Sequence, residues 1–114
     1  MTVKATGFGW IETDRGRFQS DILVYPDGTV ENRYDYSVPD SHSIGRDEVR
    51  RVLGDTNAVL VIGTGQYGMA TLEAGAEDWL RQRLITFKLL PTPAAVIFFN
   101  QLSGPKAAIF HLTC

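Results

Sequence analysis

Cysteine is almost missing from this sequence: Cys114 is the only one. No intramolecular disulfide can form, and a reducing compartment fits. No apolar run reaches the roughly 18 residues that a membrane span needs. The opening stretch MTVKATGFGW has no apolar core of a secretory signal. There is no basic excess either. The net charge is −2, so no global field recruits nucleic acid or an anionic membrane. The expectation is a cytoplasmic protein that neither binds nucleic acid nor inserts into a membrane. Arg46, Arg50 and Arg51 form the one basic cluster, and it reads as a solvated helix face.

Recognisable catalytic or metal-binding sets are also lacking. The two histidines, His42 and His111, have no ligand-spaced partners, and a His111–Cys114 pair lacks two further ligands for zinc. A triad of Ser43 with His42 or His111 and Asp35 or Asp40 can be drawn, but no G-x-S-x-G elbow supports it. No catalytic residue, metal or cofactor is therefore assigned. His111 falls in a buried strand and reads as a hydrogen-bonded core residue. His42 falls in a loop, where functional residues concentrate, and is the preferred polar candidate.

What is present describes an ordinary folding unit. The 114 residues, 44% hydrophobic and 21% charged, fit one α/β domain over residues 1–114. Phe8 to Glu12 is a short strand. Arg17 to Tyr25, with Phe18, Ser20, Ile22 and Val24 in phase, is a half-buried strand. Pro26-Asp27-Gly28 turns the chain into a returning strand, Thr29 to Tyr36. Ser37 to Ser43 is a polar loop. Gly45 caps a helix from Arg46, with Glu48 in its first turn, Ile44 and Val49 as a staple and Gly54 as its stop. Ala58 to Ile62, apolar throughout, is a strand buried on both faces. Ala74 to Arg83 is a second helix with a Glu77–Arg81 pair. Ile85 to Leu90 is a strand, Thr92-Pro93 opens a third helix, and Lys106 to Leu112 is the final strand. The order predicts a three-layer arrangement, a central mixed sheet flanked by helices with an N-terminal antiparallel β-hairpin.

Gly63-Thr64-Gly65-Gln66-Tyr67-Gly68 follows an apolar strand and has the spacing G-x-G-x-x-G. Two features argue against a dinucleotide fingerprint. Met69 to Leu72 reads as extended where a helix should begin. The position about 20 residues on should hold an acid for the ribose, but Lys88, Leu89, Leu90 and Pro91 stand there. No Gly-Lys-Ser/Thr completes a phosphate loop. The glycines read as a tight turn that also walls a pocket: Gly63, Thr64, Gly65, Gln66 and Tyr67 on one side, Pro91 and Thr92 on the other, His42 at the rim. Tyr34 and Tyr36 lie in phase on one strand and form the candidate interface.

The chain resembles a known family on Tyr34-Asp35-Tyr36, His42-Ser43, Val61-Ile62-Gly63-Thr64-Gly65, Leu90-Pro91-Thr92-Pro93 with Ala95-Val96 and Phe99-Asn100, and Phe110-His111-Leu112-Thr113-Cys114. These run in order from about Gly7 to the end. They are similar to the adipogenesis-associated domain family of small proteins, which includes a mitochondrial complex I assembly factor. The resemblance implies a three-layer α/β fold whose last strand is central and antiparallel to its neighbours. The family has no established enzyme activity. Together these features point to a non-catalytic accessory or binding module in the biogenesis of a larger complex, working through a protein partner or self-association. The alternative is a small-ligand-binding protein or enzyme that uses a pocket at the Gly63–Tyr67 loop.

Overall fold

The computed structural model describes residues 1–36 and 38–114. Ser37, the first residue of the expected polar loop, lies outside them. Strands β1 (Val3–Gly7), β2 (Trp10–Thr13) and β3 (Gly16–Phe18) form a three-stranded antiparallel sheet. Next come β4 (Ile22–Val24), β5 (Val30–Asn32), a 3₁₀ turn (Arg33–Asp35), β6 (Ser43–Ile44) and helix α1 (Arg46–Leu53). After these follow β7 (Val59–Thr64), β8 (Thr71–Leu72), α2 (Ala74–Gln82), β9 (Phe87–Leu90), α3 (Thr92–Gln101) and β10 (Lys106–His111). The main sheet has the order β5-β4-β10-β7-β9, and β6 and β8 form a small parallel pair.

The three layers follow from burial on both faces of that sheet. Leu60, Ile62, Ala107 and Ile109 pack under α1 and α2, with Val49, Val52, Leu53, Ala76 and Leu80. Val61, Ala108 and Phe110 point the other way, against Ala95, Val96 and Phe99 of α3 and against Val3 and Ile11 of the small sheet. The unbroken apolar runs of β7 and β10 are thus explained: successive side chains enter two different cores.

Three expectations need correction. Arg17 to Tyr25 is two strands in two sheets, β3 and β4. The alternation of Phe18, Ser20, Ile22 and Val24 runs across the crossing between them. Thr29 to Tyr36 leaves the sheet after Asn32, whose side chain accepts the Tyr34 N–H at 2.8 Å and starts the 3₁₀ turn. Tyr34 and Tyr36 therefore do not share a strand face. Strand β10 is central, but antiparallel only to β4; its pairing with β7 is parallel. The helices begin and end close to where capping chemistry puts them. The Glu48 carboxylate accepts the Gly45 N–H at 3.1 Å, and Ile44 and Val49 are both buried. Helix α3 opens at Thr92, with Pro91 as its cap residue.

Candidate functional site

Parallel pairing brings the carboxyl ends of β7 and β10 together, with Thr64 opposite His111. The glycine loop leaves from one strand and Leu112-Thr113-Cys114 from the other, and the two segments interlock. The Gln66 N–H donates to the Thr113 carbonyl at 2.6 Å; the N–H groups of Tyr67 and Met69 donate to the Cys114 carbonyl at 3.2 and 3.1 Å. Gly65 has φ 104°, and a Cβ there would overlap the Cys114 backbone. A Cβ on Gly63 would lie 2.7 Å from the Thr92 hydroxyl. The glycines serve close approach of backbone to backbone. In physical terms the loop is a nest of N–H groups around acceptor oxygens, and those oxygens come from the chain itself.

Thr92 closes the same corner. Its hydroxyl accepts the Gly65 N–H at 2.9 Å and donates to the His111 carbonyl, and its own N–H donates to the Gly65 carbonyl at 2.8 Å. Gly63, Thr64, Gly65, Gln66, Tyr67, Pro91 and Thr92 are thus brought together. His42 approaches from the other side. Its ring meets that of His111 edge-on, with centroids 5.4 Å apart, and its carbonyl accepts the Thr71 N–H at 2.9 Å.

Behind His111 lies a buried charged network. One Asp21 oxygen takes His111 Nδ1 at 2.7 Å, the Tyr34 hydroxyl at 2.6 Å and Arg33 at 2.9 Å; the other takes the Leu112 N–H at 2.8 Å. Arg33 is buried and its five N–H donors are all used, on Asp21, on both oxygens of Glu48, and on the Ser41 and Ser43 carbonyls. Burial pushes the Asp21 carboxyl up. The hydrogen bonds from His111, Tyr34 and Leu112 outweigh it and hold the group below its usual value. Burial likewise pushes Arg33 down, but Glu48 and Asp21 raise it overall. Burial and then Asp21 push the Tyr34 hydroxyl up to about 12.

With Asp21 ionised, the His111 proton sits on Nδ1, and in the neutral ring Nε2 accepts from the Thr113 hydroxyl at 3.2 Å. The order carboxylate, imidazole, hydroxyl is that of a set in which an oriented imidazole acts as base toward a hydroxyl. Here the imidazole is sealed from solvent and both nitrogens are engaged, so the set ties β4, β10, the 3₁₀ turn and the tail together. Asp21 and Arg33 escaped the sequence reading. Asp21 is out of phase with its apolar neighbours, and its partners stand 12 and 90 residues away. The available signal was a lone carboxylate directly before an apolar run.

Tyr34 and Tyr36 keep exposed ring faces while their hydroxyls bond inward. Tyr36 donates to Glu31 at 2.9 Å, and Arg51 lies 3.2 Å over its ring. A cleft of about 570 Å³ between the starts of α1 and α2 is lined by Asp40, Asp47, Glu48 and Glu73 with Arg46. Among the described residues no group of three or more His, Cys, Asp or Glu side chains is placed to hold a metal ion. No described helix is long and apolar enough to cross a membrane.

The model of a domain family of unknown function, DUF498/DUF598, matches residues 3–111. The chain belongs to that family. Solved structures repeat the fold over nearly the whole length. A conserved hypothetical protein of Pyrococcus horikoshii is 29% identical, with a TM-score of 0.87 and 100% of both chains covered. A protein of Bordetella parapertussis is 26% identical, with a TM-score of 0.76 over 96% of this chain and 93% of that one. A Bartonella henselae protein described as an outer membrane protein is 23% identical, with a TM-score of 0.77 over the same shares, which shows the fold alone. No curated protein matches the chain.

Proposed function

We propose that this DUF498/DUF598 domain is a non-catalytic accessory module that works through protein contacts in the biogenesis of a larger complex. The observation that carries the reading is a set of large apolar side chains standing out around the closed glycine loop. Phe8 is 58% exposed, Tyr67 75% and Met69 65%, and the rings of Phe8 and Tyr67 lie 6.4 Å apart. Tyr34 and Tyr36 add two more exposed rings whose hydroxyls are already bonded within the chain. Aromatic and methionine side chains of this kind anchor protein interfaces. The likeness to the adipogenesis-associated family, with its complex I assembly factor, suggests the biological setting and remains an analogy of fold.

The test is a photo-crosslinking residue placed at Tyr67, and separately at Tyr34, with the protein expressed in its source cell. A discrete crosslinked protein at either position supports the module. Crosslinks to nothing but diffuse background at both positions count against it.

A second reading has its own support. Gln66, Tyr67 and Met69 already hold acceptor oxygens, so a carboxylate- or phosphate-bearing small ligand would find the same N–H groups once Thr113-Cys114 moved aside. The site is then Gly63, Thr64, Gly65, Gln66 and Tyr67 with Pro91, Thr92 and His42. Native mass spectrometry of protein purified gently from its source distinguishes the two: a small extra mass favours the ligand, a second polypeptide the module.

A further inference from the structure

Helix α2 ends in a Schellman turn. The Leu84 N–H donates to the Arg81 carbonyl at 3.1 Å and the Ile85 N–H to the Leu80 carbonyl at 3.0 Å, with Ile85 and Leu80 both buried. The residue in the left-handed position is usually glycine. Here it is Leu84, with φ 57°, the one non-glycine residue among those described with positive φ, and its side chain is 89% exposed. A branched apolar residue is thus held in a strained conformation and pointed at solvent. Nothing inside the molecule gains from either.

Leu84 stands three residues before the outer strand of the main sheet. Strand β9 is outermost and, among the described residues, pairs only with β7. Because Leu60 N–H bonds to the Thr86 carbonyl, the parallel ladder turns the backbone of Thr86, Lys88 and Leu90 inward. Phe87 and Leu89 therefore turn their N–H and C=O groups to the free edge. Their side chains lie on the α1/α2 face, where Leu89 is 37% exposed. Lys88 lies on the α3 face, with its Nζ 5.9 Å from the Phe98 ring.

Acid and base mix beside α2, where Asp47 and Asp55 line a cleft with Arg83, but the charge on β9 itself is Lys88 alone. Residues 79–114 contain Arg81, Arg83, Lys88 and Lys106 and no aspartate or glutamate at all. Arg81 pairs with Glu77 from the preceding turn; Arg83 and Lys88 have no ion-pair partner among the described residues.

We propose that the β9 edge receives an extended segment of a partner protein that adds as a sixth strand, with apolar side chains toward Leu84 and Leu89 and acidic ones toward Lys88. Backbone bonds to Phe87 and Leu89 supply affinity, and alternate side chains supply selection. This deepens the accessory-module reading and rests on it for its biological sense.

The probe is a labelled pentapeptide alternating valine and glutamate, with a valine–lysine peptide as control. The readouts are anisotropy and the protein's backbone amide NMR shifts. The glutamate peptide is expected to bind at least fivefold more tightly than the control and to shift the Phe87 and Leu89 amides first. Leu84→Gly, which relieves strain and so keeps the fold, is expected to weaken binding severalfold. Leu89→Pro removes an outward N–H that the sheet does not use and is expected to abolish binding. Absence of binding at millimolar peptide, equal binding of the lysine peptide, or full affinity in both variants overturns the proposal. Self-association that protects the same amides overturns it too, by giving the edge to a second copy. Crosslinks at Tyr67 without any edge shift would keep the module reading while sinking this one.

Discussion

Two of the turns that hold a residue at positive φ, those at Gly65 and Leu84, use it in opposite ways. At Gly65 the backbone needs both the left-handed conformation and the missing Cβ, because the tail residues Thr113 and Cys114 lie against it. At Leu84 the same conformational need is met by a residue that suffers from it, and the side chain is left in water. One turn is matched to the interior of its own fold. The other gives up stability for a surface feature, as natural sequences do where something outside the chain must be met. The contrast separates residues that hold the structure from residues available for recognition.

The closed side of the comparison breaks most severely at Arg33. Replacing it with alanine leaves the buried Asp21 and the half-buried Glu48 without their counter-charge, and the expected loss is about 3–5 kcal/mol in urea unfolding, enough to endanger folding. A variant that unfolds at the wild-type midpoint would mean that solvent reaches the two carboxylates. Gly65→Val comes next. It combines backbone strain with displacement of the tail, and roughly 2–3 kcal/mol should be lost, together with the amide protection of Gln66, Tyr67 and Met69. Retained protection at those amides would show that the tail does not depend on the loop.

The acid limb of the stability curve tests the same network. The folded-state value for Asp21 is depressed, so its contribution is present in full above the unfolded value near 3.8 and is lost as pH falls through the lower folded value. Stability should therefore be level toward neutral pH and fall below about pH 4. In Asp21→Asn the overall stability should be lower and the acid limb shallower. An unchanged limb would assign acid sensitivity to other carboxylates.

The contrast also explains how far the sequence could be read. Local chemistry was legible. Glu48 reaching back to Gly45, the apolar phase of Val49, Val52 and Leu53, and the unbroken runs of β7 and β10 each act within a few residues or within one element. Strand breaks were not legible where alternation continued through a change of sheet, as from Phe18 to Ile22. The glycine loop was recognised as a turn near Pro91-Thr92, but its filling was invisible, because Thr113 and Cys114 carry no signal for where their carbonyls go. Asp21 and Arg33 were missed for the same reason: a buried ion network is defined by contacts across β4, β10 and α1, and no spacing along the chain encodes it.

The smallest effect is the one that sharpens the comparison most. Leu84→Gly removes the Cβ strain of the left-handed position and an apolar side chain from water, while adding freedom to the unfolded chain. The balance is a gain of about 0.5–1 kcal/mol, seen as a higher urea midpoint with an unchanged slope. Leu84→Ala, which keeps the strain and discards most of the exposed surface, should stay within about 0.5 kcal/mol of the wild type. Glycine stabilising while alanine does not would locate the cost in the backbone, so that the leucine is kept in spite of its conformation. If glycine instead destabilises the protein, the side chain has a folded-state contact worth more than the strain, and Leu84 moves from the open side of the comparison to the closed one.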